Sequence, residues 1–132
     1  MPRDENLVRL ARGTYLATTV TLMPDGQPQA QLRWIDVDGD HLLVNTEPQR
    51  RAARNVARDP RITVHIRAEN DPYDWVEVRG RVVETVGGAP ARAHIDALSR
   101  KYTGQDYRLP IGPEGRVILR IVPDRVVTPA GR

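Results

Sequence analysis

The side chains best able to hold a charged ligand are concentrated in one segment, Asn45-Thr46-Glu47-Pro48-Gln49-Arg50-Arg51-Ala52-Ala53-Arg54-Asn55. Polar groups end an extended run there, and an arginine-rich helix begins directly afterwards. Free N–H groups at a helix N-terminus, the positive end of its dipole and the forks of Arg50 and Arg51 could converge on a phosphate. The same arginines could instead solvate a surface helix and pair with Glu47 and Asp59. Local spacing leaves both readings open.

Other chemistries find less support. His41, His65 and His94 fall on a strand start, a strand face and a helix with no HxxxH or HxH pairing, so they read as structural and no metal site is expected. The chain has no cysteine, which excludes thiol nucleophiles, thiolate metal sites, disulfides and iron–sulfur clusters together. GxSxG, Walker, GxGxxG and HExxH patterns are all missing. Whatever chemistry the chain performs is therefore expected to come from a bound cofactor, with no catalytic side chain identifiable. Trp34, Tyr73 and Trp75 could line a flat ring or could fill a barrel end or an interface between copies. Lys101 and Tyr102 read as structural.

The elements that must position these groups follow from periodicity and punctuation. Asp4 caps a short helix to about Arg12, with Leu7, Leu10 and Ala11 on one face. Extended runs are predicted at Thr14–Met23 and Gln27–Val37 around a Pro24-Asp25-Gly26 turn, and at His41–Thr46 after Asp38-Gly39-Asp40. A helix from Arg50 to Asp59 stops at Asp59-Pro60. Arg61–Arg67 and Trp75–Val86 alternate as half-buried strands, and Val76–Gly80 is expected to include positions at an interface between copies, with Gly80 allowing close backbone approach. Gly87-Gly88 and Pro90 introduce a helix to about Tyr102 with Ala91, Ile95 and Leu98 on one stripe and Gly104 just beyond it. A loop from Thr103 to Gly115 precedes a strand at Arg116–Val122 and a short extension at Arg125–Val127. Six strands in hairpins with three helices, and no βαβ rhythm, point to an antiparallel barrel occupying residues 1–132 as one domain.

Composition sets limits on the partners. The net charge is +3, and Lys101 is the only lysine beside nineteen arginines, a bias that codon usage in a GC-rich genome also produces. Acidic residues are interspersed and the strands lack rows of stacking aromatics, so a nucleic-acid partner is not expected. No apolar run approaches the roughly 20 residues of a membrane helix, and Met1–Arg12 carries charges where a secretion signal needs an apolar centre. A cytoplasmic protein without a membrane partner is expected.

Beyond these local readings, LxxNTxxxRRxxRNVxRDPRxxVxI over Leu42–Ile66 resembles the central motif of pyridoxamine 5'-phosphate oxidase-like split barrels. DPYDWVEVRGRVVE (Asp71–Glu84) and ALSRKYTGQDY (Ala97–Tyr107) resemble the F420-dependent branch, and Leu16-Ala17-Thr18 and the Pro24–Gln29 turn also match. The resemblance covers nearly the whole chain. It implies a six-stranded antiparallel split β-barrel (FMN-binding split barrel) that pairs as a homodimer with the cofactor between subunits. It also implies that Asn45, Thr46, Arg50, Arg51 and Arg54 face the phosphate and ribityl chain, and that Gln31, Arg33 and Trp34 lie beside the ring. Many relatives carry a lysine where this chain has Ala52, so Arg50 or Arg51 would have to supply that cation. The implied function is an F420-dependent oxidoreductase moving a hydride between deazaflavin and a small conjugated organic substrate. The alternatives are an FMN-dependent oxidoreductase or a non-catalytic flavin- or deazaflavin-binding protein.

Overall fold

The computed structural model describes residues 4–131. Asp4 caps α1 (Glu5–Arg12), its carboxylate accepting from Leu7 N at 2.9 Å, and the helix buries Leu7, Val8, Leu10 and Ala11. The strands are β1 (Ala17–Leu22), β2 (Pro28–Arg33), β3 (Asp36–Asp38), β4 (His41–Thr46), β5 (Arg61–Arg67), β6 (Trp75–Val86) and β7 (Val117–Val127). The two further helices are α2 (Arg51–Arg58) and α3 (Gly88–Thr103). Gly104, at φ +81°, ends α3 in the left-handed conformation that glycine adopts without strain, and its N–H donates to Arg100 O.

All strand pairs are antiparallel, in the order β2-β1-β5-β6-β7-β4-β3. Consecutive strands β2 and β3 thus form opposite edges of a seven-stranded sheet. Laid flat, its six inter-strand gaps of about 4.8 Å would separate those edges by roughly 29 Å. The Arg33-to-Asp36 connection reaches at most about 11 Å. The sheet must therefore curl into a barrel whose seam is crossed by Trp34 and Ile35. This accounts for the strand count, seven rather than six. The extended run at 27–37 bends where Ile35 turns fully into the core, so one predicted strand becomes two.

A second difference lies at the C-terminal strand, which continues through Pro123 as one element. Pro123 stands opposite Gly80 at a register shift, where a missing ladder donor is tolerated. A Cβ on Gly80 would meet Val122 O at 2.3 Å, so the bare backbone is required there. The core joins one face of the sheet to α1 and α2 and includes Leu10, Ile35, Leu42, Val64, Val78 and Ile121. Full burial of such side chains contributes about 1.5 to 3 kcal/mol each.

Candidate functional site

Where the seam opens, five elements deliver side chains to one cleft of about 440 Å³. The end of β2 and the crossover bring Gln31, Leu32, Arg33 and Trp34; the end of β4 brings Asn45; Arg50 stands at the N-cap of α2. Ile95 and Leu98 of α3 form an apolar floor, and the loop leading into β7 adds Tyr107, Leu109 and Arg116. Of the eight expected site residues, Gln31, Arg33, Trp34, Asn45 and Arg50 line this cleft. Thr46 is wholly buried next to Asn45 and its Oγ1 has no partner. Arg51 and Arg54, farther along α2, are not among the lining residues. Ala52 is buried too, so its position presents nothing to solvent.

Arg116 and Glu47 organise the charge. Arg116 is 6% exposed, and its Nε donates to Asn45 Oδ1 at 2.8 Å. Its Nη1 lies 3.6 Å from Glu47 Oε2 and has no hydrogen-bond partner. Glu47, equally buried, accepts from Gln49 Nε2, from Gly112 N and from Arg50 at 2.7 Å. The Gln49 hydrogen bond leads the causes that hold this carboxyl below its usual range; burial opposes it, and Gly112 N, Arg50 and Arg116 reinforce it. Arg33 donates to Thr19 Oγ1 at 3.0 Å and to Gln31 Oε1 at 2.8 Å. Burial, then the charges of Arg50 and Arg116, pull its pKa down to about 10. Three guanidinium groups thus gather at the cleft, two of them on the Glu47 carboxylate, and the buried Nη1 of Arg116 is left without a hydrogen-bond partner. An anion in the cleft would satisfy both the surplus charge and that donor.

The cleft's flat wall is aromatic. Trp34 stacks on Tyr102 with centroids 5.4 Å apart and planes 6° from parallel, and Tyr107 meets it edge-on at 6.4 Å. Arg116 lies 5.2 Å above the Tyr107 ring. Tyr102 OH donates to Tyr15 O and accepts from Ile35 N, while Lys101 Nζ donates to Ala11 O and Ile35 O. These bonds pin the crossover and so fix the Trp34 ring. Trp75 instead stacks on His65, and Tyr73 is 75% exposed; neither lines the cleft. Among the described residues no three His, Asp or Glu side chains are grouped to hold a metal, and no helix is long and apolar enough to cross a membrane.

Arg116, Tyr107 and Glu47 received no such role from the sequence. Glu47 carried the one available signal, since a carboxylate at the buried end of a strand requires cationic partners.

The profile of the pyridoxamine 5'-phosphate oxidase family matches residues 4–128. The chain belongs to that family. Among solved structures it is similar to an F420 reductase at 27% identity and a TM-score of 0.83, covering 94% of this chain and 98% of that one. It also resembles a conserved hypothetical protein from Mycobacterium tuberculosis, at 22% identity and a TM-score of 0.72, over 96% and 88% of the two chains. The General Stress Protein 26 of Bacillus anthracis shares the fold at 18% identity and a TM-score of 0.68, over 92% and 89%. No curated protein matches. The surplus cations, the unpartnered Arg116 Nη1 and the stacked Trp34 fit the phosphate and ring of the flavin class this fold binds.

Proposed function

We propose that this family member is an F420-dependent oxidoreductase of the cytoplasm, acting as a homodimer on a small conjugated organic substrate. The observation that carries the reading is the Arg33–Arg50–Arg116 cluster with its unpartnered Nη1 beside the Trp34 wall. Similarity to an F420 reductase over nearly the full length of both chains supports the choice of cofactor.

Arg50 and Arg116 hold the phosphate and Glu47 keeps both forks aimed. Arg33 and Gln31 hydrogen-bond the polar edge of the ring system, and Trp34, braced by Tyr102, sets its plane. Asn45 and the buried Thr46 complete the polar end of the site. Arg51 and Arg54, outside the cleft, contribute to the field around the acidic tail of the cofactor. When bound, the deazaflavin supplies the hydride chemistry; the protein supplies orientation, anchoring and water exclusion, with no nucleophile of its own. The exposed Leu16, Leu32 and Leu109 at the lip are the surface a second copy would cover.

Titration of purified protein with F420 and with FMN, followed by tryptophan quenching, tests the cofactor. F420 is expected to bind more tightly; equal or tighter FMN binding overturns that assignment and leaves the fold intact. Oxidation of reduced F420 by a panel of conjugated acceptors tests the reaction, and binding without turnover would make the protein a carrier.

A further inference from the structure

Three elements meet on the side chain of Asn45, in β4. Its Oδ1 lies 2.8 Å from Arg116 Nε, and its Nδ2 lies 3.0 Å from Ala91 O and 3.0 Å from His94 Nδ1. A guanidinium nitrogen only donates and a carbonyl oxygen only accepts. Both contacts therefore fix the amide independently, oxygen toward Arg116 and nitrogen toward α3. With one N–H given to Ala91, the other points at His94, whose Nδ1 must accept. The imidazole is then neutral and protonated on Nε2, which donates to Asp36 Oδ2 at 2.9 Å. A second proton on Nδ1 would set two donors face to face. Turning the amide over would satisfy the imidazolium, but it would present an NH₂ to Arg116 Nε and leave Ala91 O without its donor.

We propose that His94 is a positioning residue for the anion cleft: its neutral form locks Asn45 in the orientation that holds Arg116, and its charged form releases it. The proposal rests on reading the arginine cleft as the phosphate site. The charged groups around His94 come from each element packed on it. Asp36 of β3 contacts Nε2, Lys101 of α3 acts on Asp36, and Arg116 lies across the Asn45 amide. Burial pushes the Asp36 carboxyl up, but its bonds to His94 and Val37 N, the charge His94 carries when protonated and the charge of Lys101 outweigh it and hold that carboxyl low. It thus stays an acceptor for Nε2–H. Anion binding is accordingly present above the pH at which His94 gains its second proton and is lost below it. Added positive charge acting through its field alone would do the reverse.

The test is a pH series from 8 to 5 on the whole protein, with inorganic sulfate as the probe because it stays a dianion throughout. Histidine ¹⁵N resonances, assigned by their loss in His94→Gln, report tautomer and titration. The Nε2–H tautomer is expected at pH 8, and sulfate binding should weaken at least about tenfold on acidification, with the midpoint of His94 itself. Glutamine accepts and donates in the same places without titrating. His94→Gln is therefore expected to stay within about threefold of the wild type at pH 8 and to be flat in pH, whereas His94→Ala is weak throughout. An Nδ1–H tautomer, binding that tightens in acid, a fall in binding while His94 keeps one state, or a His94→Gln curve that follows the wild type would each overturn the proposal. If sulfate binds at no pH, the anion-site reading fails. The ligand-free protein still decides the positioning role, since the Arg116 Nε–H signal should be sharp in wild type and His94→Gln at pH 8 and broadened in His94→Ala.

Discussion

Truncating Arg50 or Arg116 removes one fork from a cleft where three guanidinium groups meet and Glu47 pairs with two of them. Losing one partner of a desolvated charge pair costs roughly 2 to 5 kcal/mol, so each alanine variant is expected to bind F420 at least about thirtyfold more weakly. The two should differ without cofactor. The Arg50 side chain is 47% exposed, and its loss should hardly move the thermal midpoint. Arg116 is buried on Asn45 and Glu47, and its loss should lower the midpoint as well. Fluorescence titration and melting curves with and without F420 check both statements. Arg51→Ala should lose much less affinity than Arg50→Ala; a loss equal to that of Arg50→Ala would move the site onto α2. Gln31, Arg33, Trp34, Asn45 and Arg50, which the family resemblance singles out together, do line one cleft. Arg116 was not legible in the sequence, because it reaches Asn45 across 71 residues through the β4–β7 pairing. The partners of His94, Asn45 and Asp36, likewise stand on two other elements, far from it in the chain.

Elements depend on contacts that local periodicity does not encode. Strands, helices and turns emerged from alternation and from Gly, Pro and Asp punctuation, whereas the break at Trp34–Ile35 is imposed by barrel closure and left no local mark. At Gly80 the backbones of β6 and β7 pass too close for a Cβ. Gly80→Ala should destabilise by roughly 2 kcal/mol, because the obstacle is the Val122 carbonyl and not a movable side chain. A denaturant midpoint equal to the wild type would show that the two strands part freely. Glu47 ties the end of β4 to the Gly112 loop and to two arginines. Its pKa is depressed in the folded chain, so its contribution is complete above the usual carboxylate range and is lost as pH falls through the folded value. Glu47→Gln should therefore lie below the wild type in thermal midpoint near neutrality. The gap should close below about pH 4, where a series of melts would reveal it.

For the whole molecule, the cleft is bordered by Leu16, Leu32 and Leu109 at 45, 61 and 66% exposure, on and beside an edge strand whose outer backbone is unpaired. Apolar side chains grouped at a ligand site on a sheet edge mark a surface to be covered. Light scattering should give twice the 14.8 kDa chain mass at micromolar concentration with F420 present. Leu32→Arg should give a folded monomer with weakened F420 binding; a monomeric wild type would overturn the dimer. The seam also dictates an order of construction. Among the described residues β4 pairs only with β3 and β7, and β7 follows every other strand of the sheet in the chain. Until it emerges, the β3–β4 hairpin hangs from β2 by Trp34 and Ile35, and Arg116 has only just been made. A nascent chain stalled before Val117 therefore has the segments for the β1–β2 ladder, while β4 still lacks its β7 partner, so the cleft cannot close until the Val117–Val127 strand has been made.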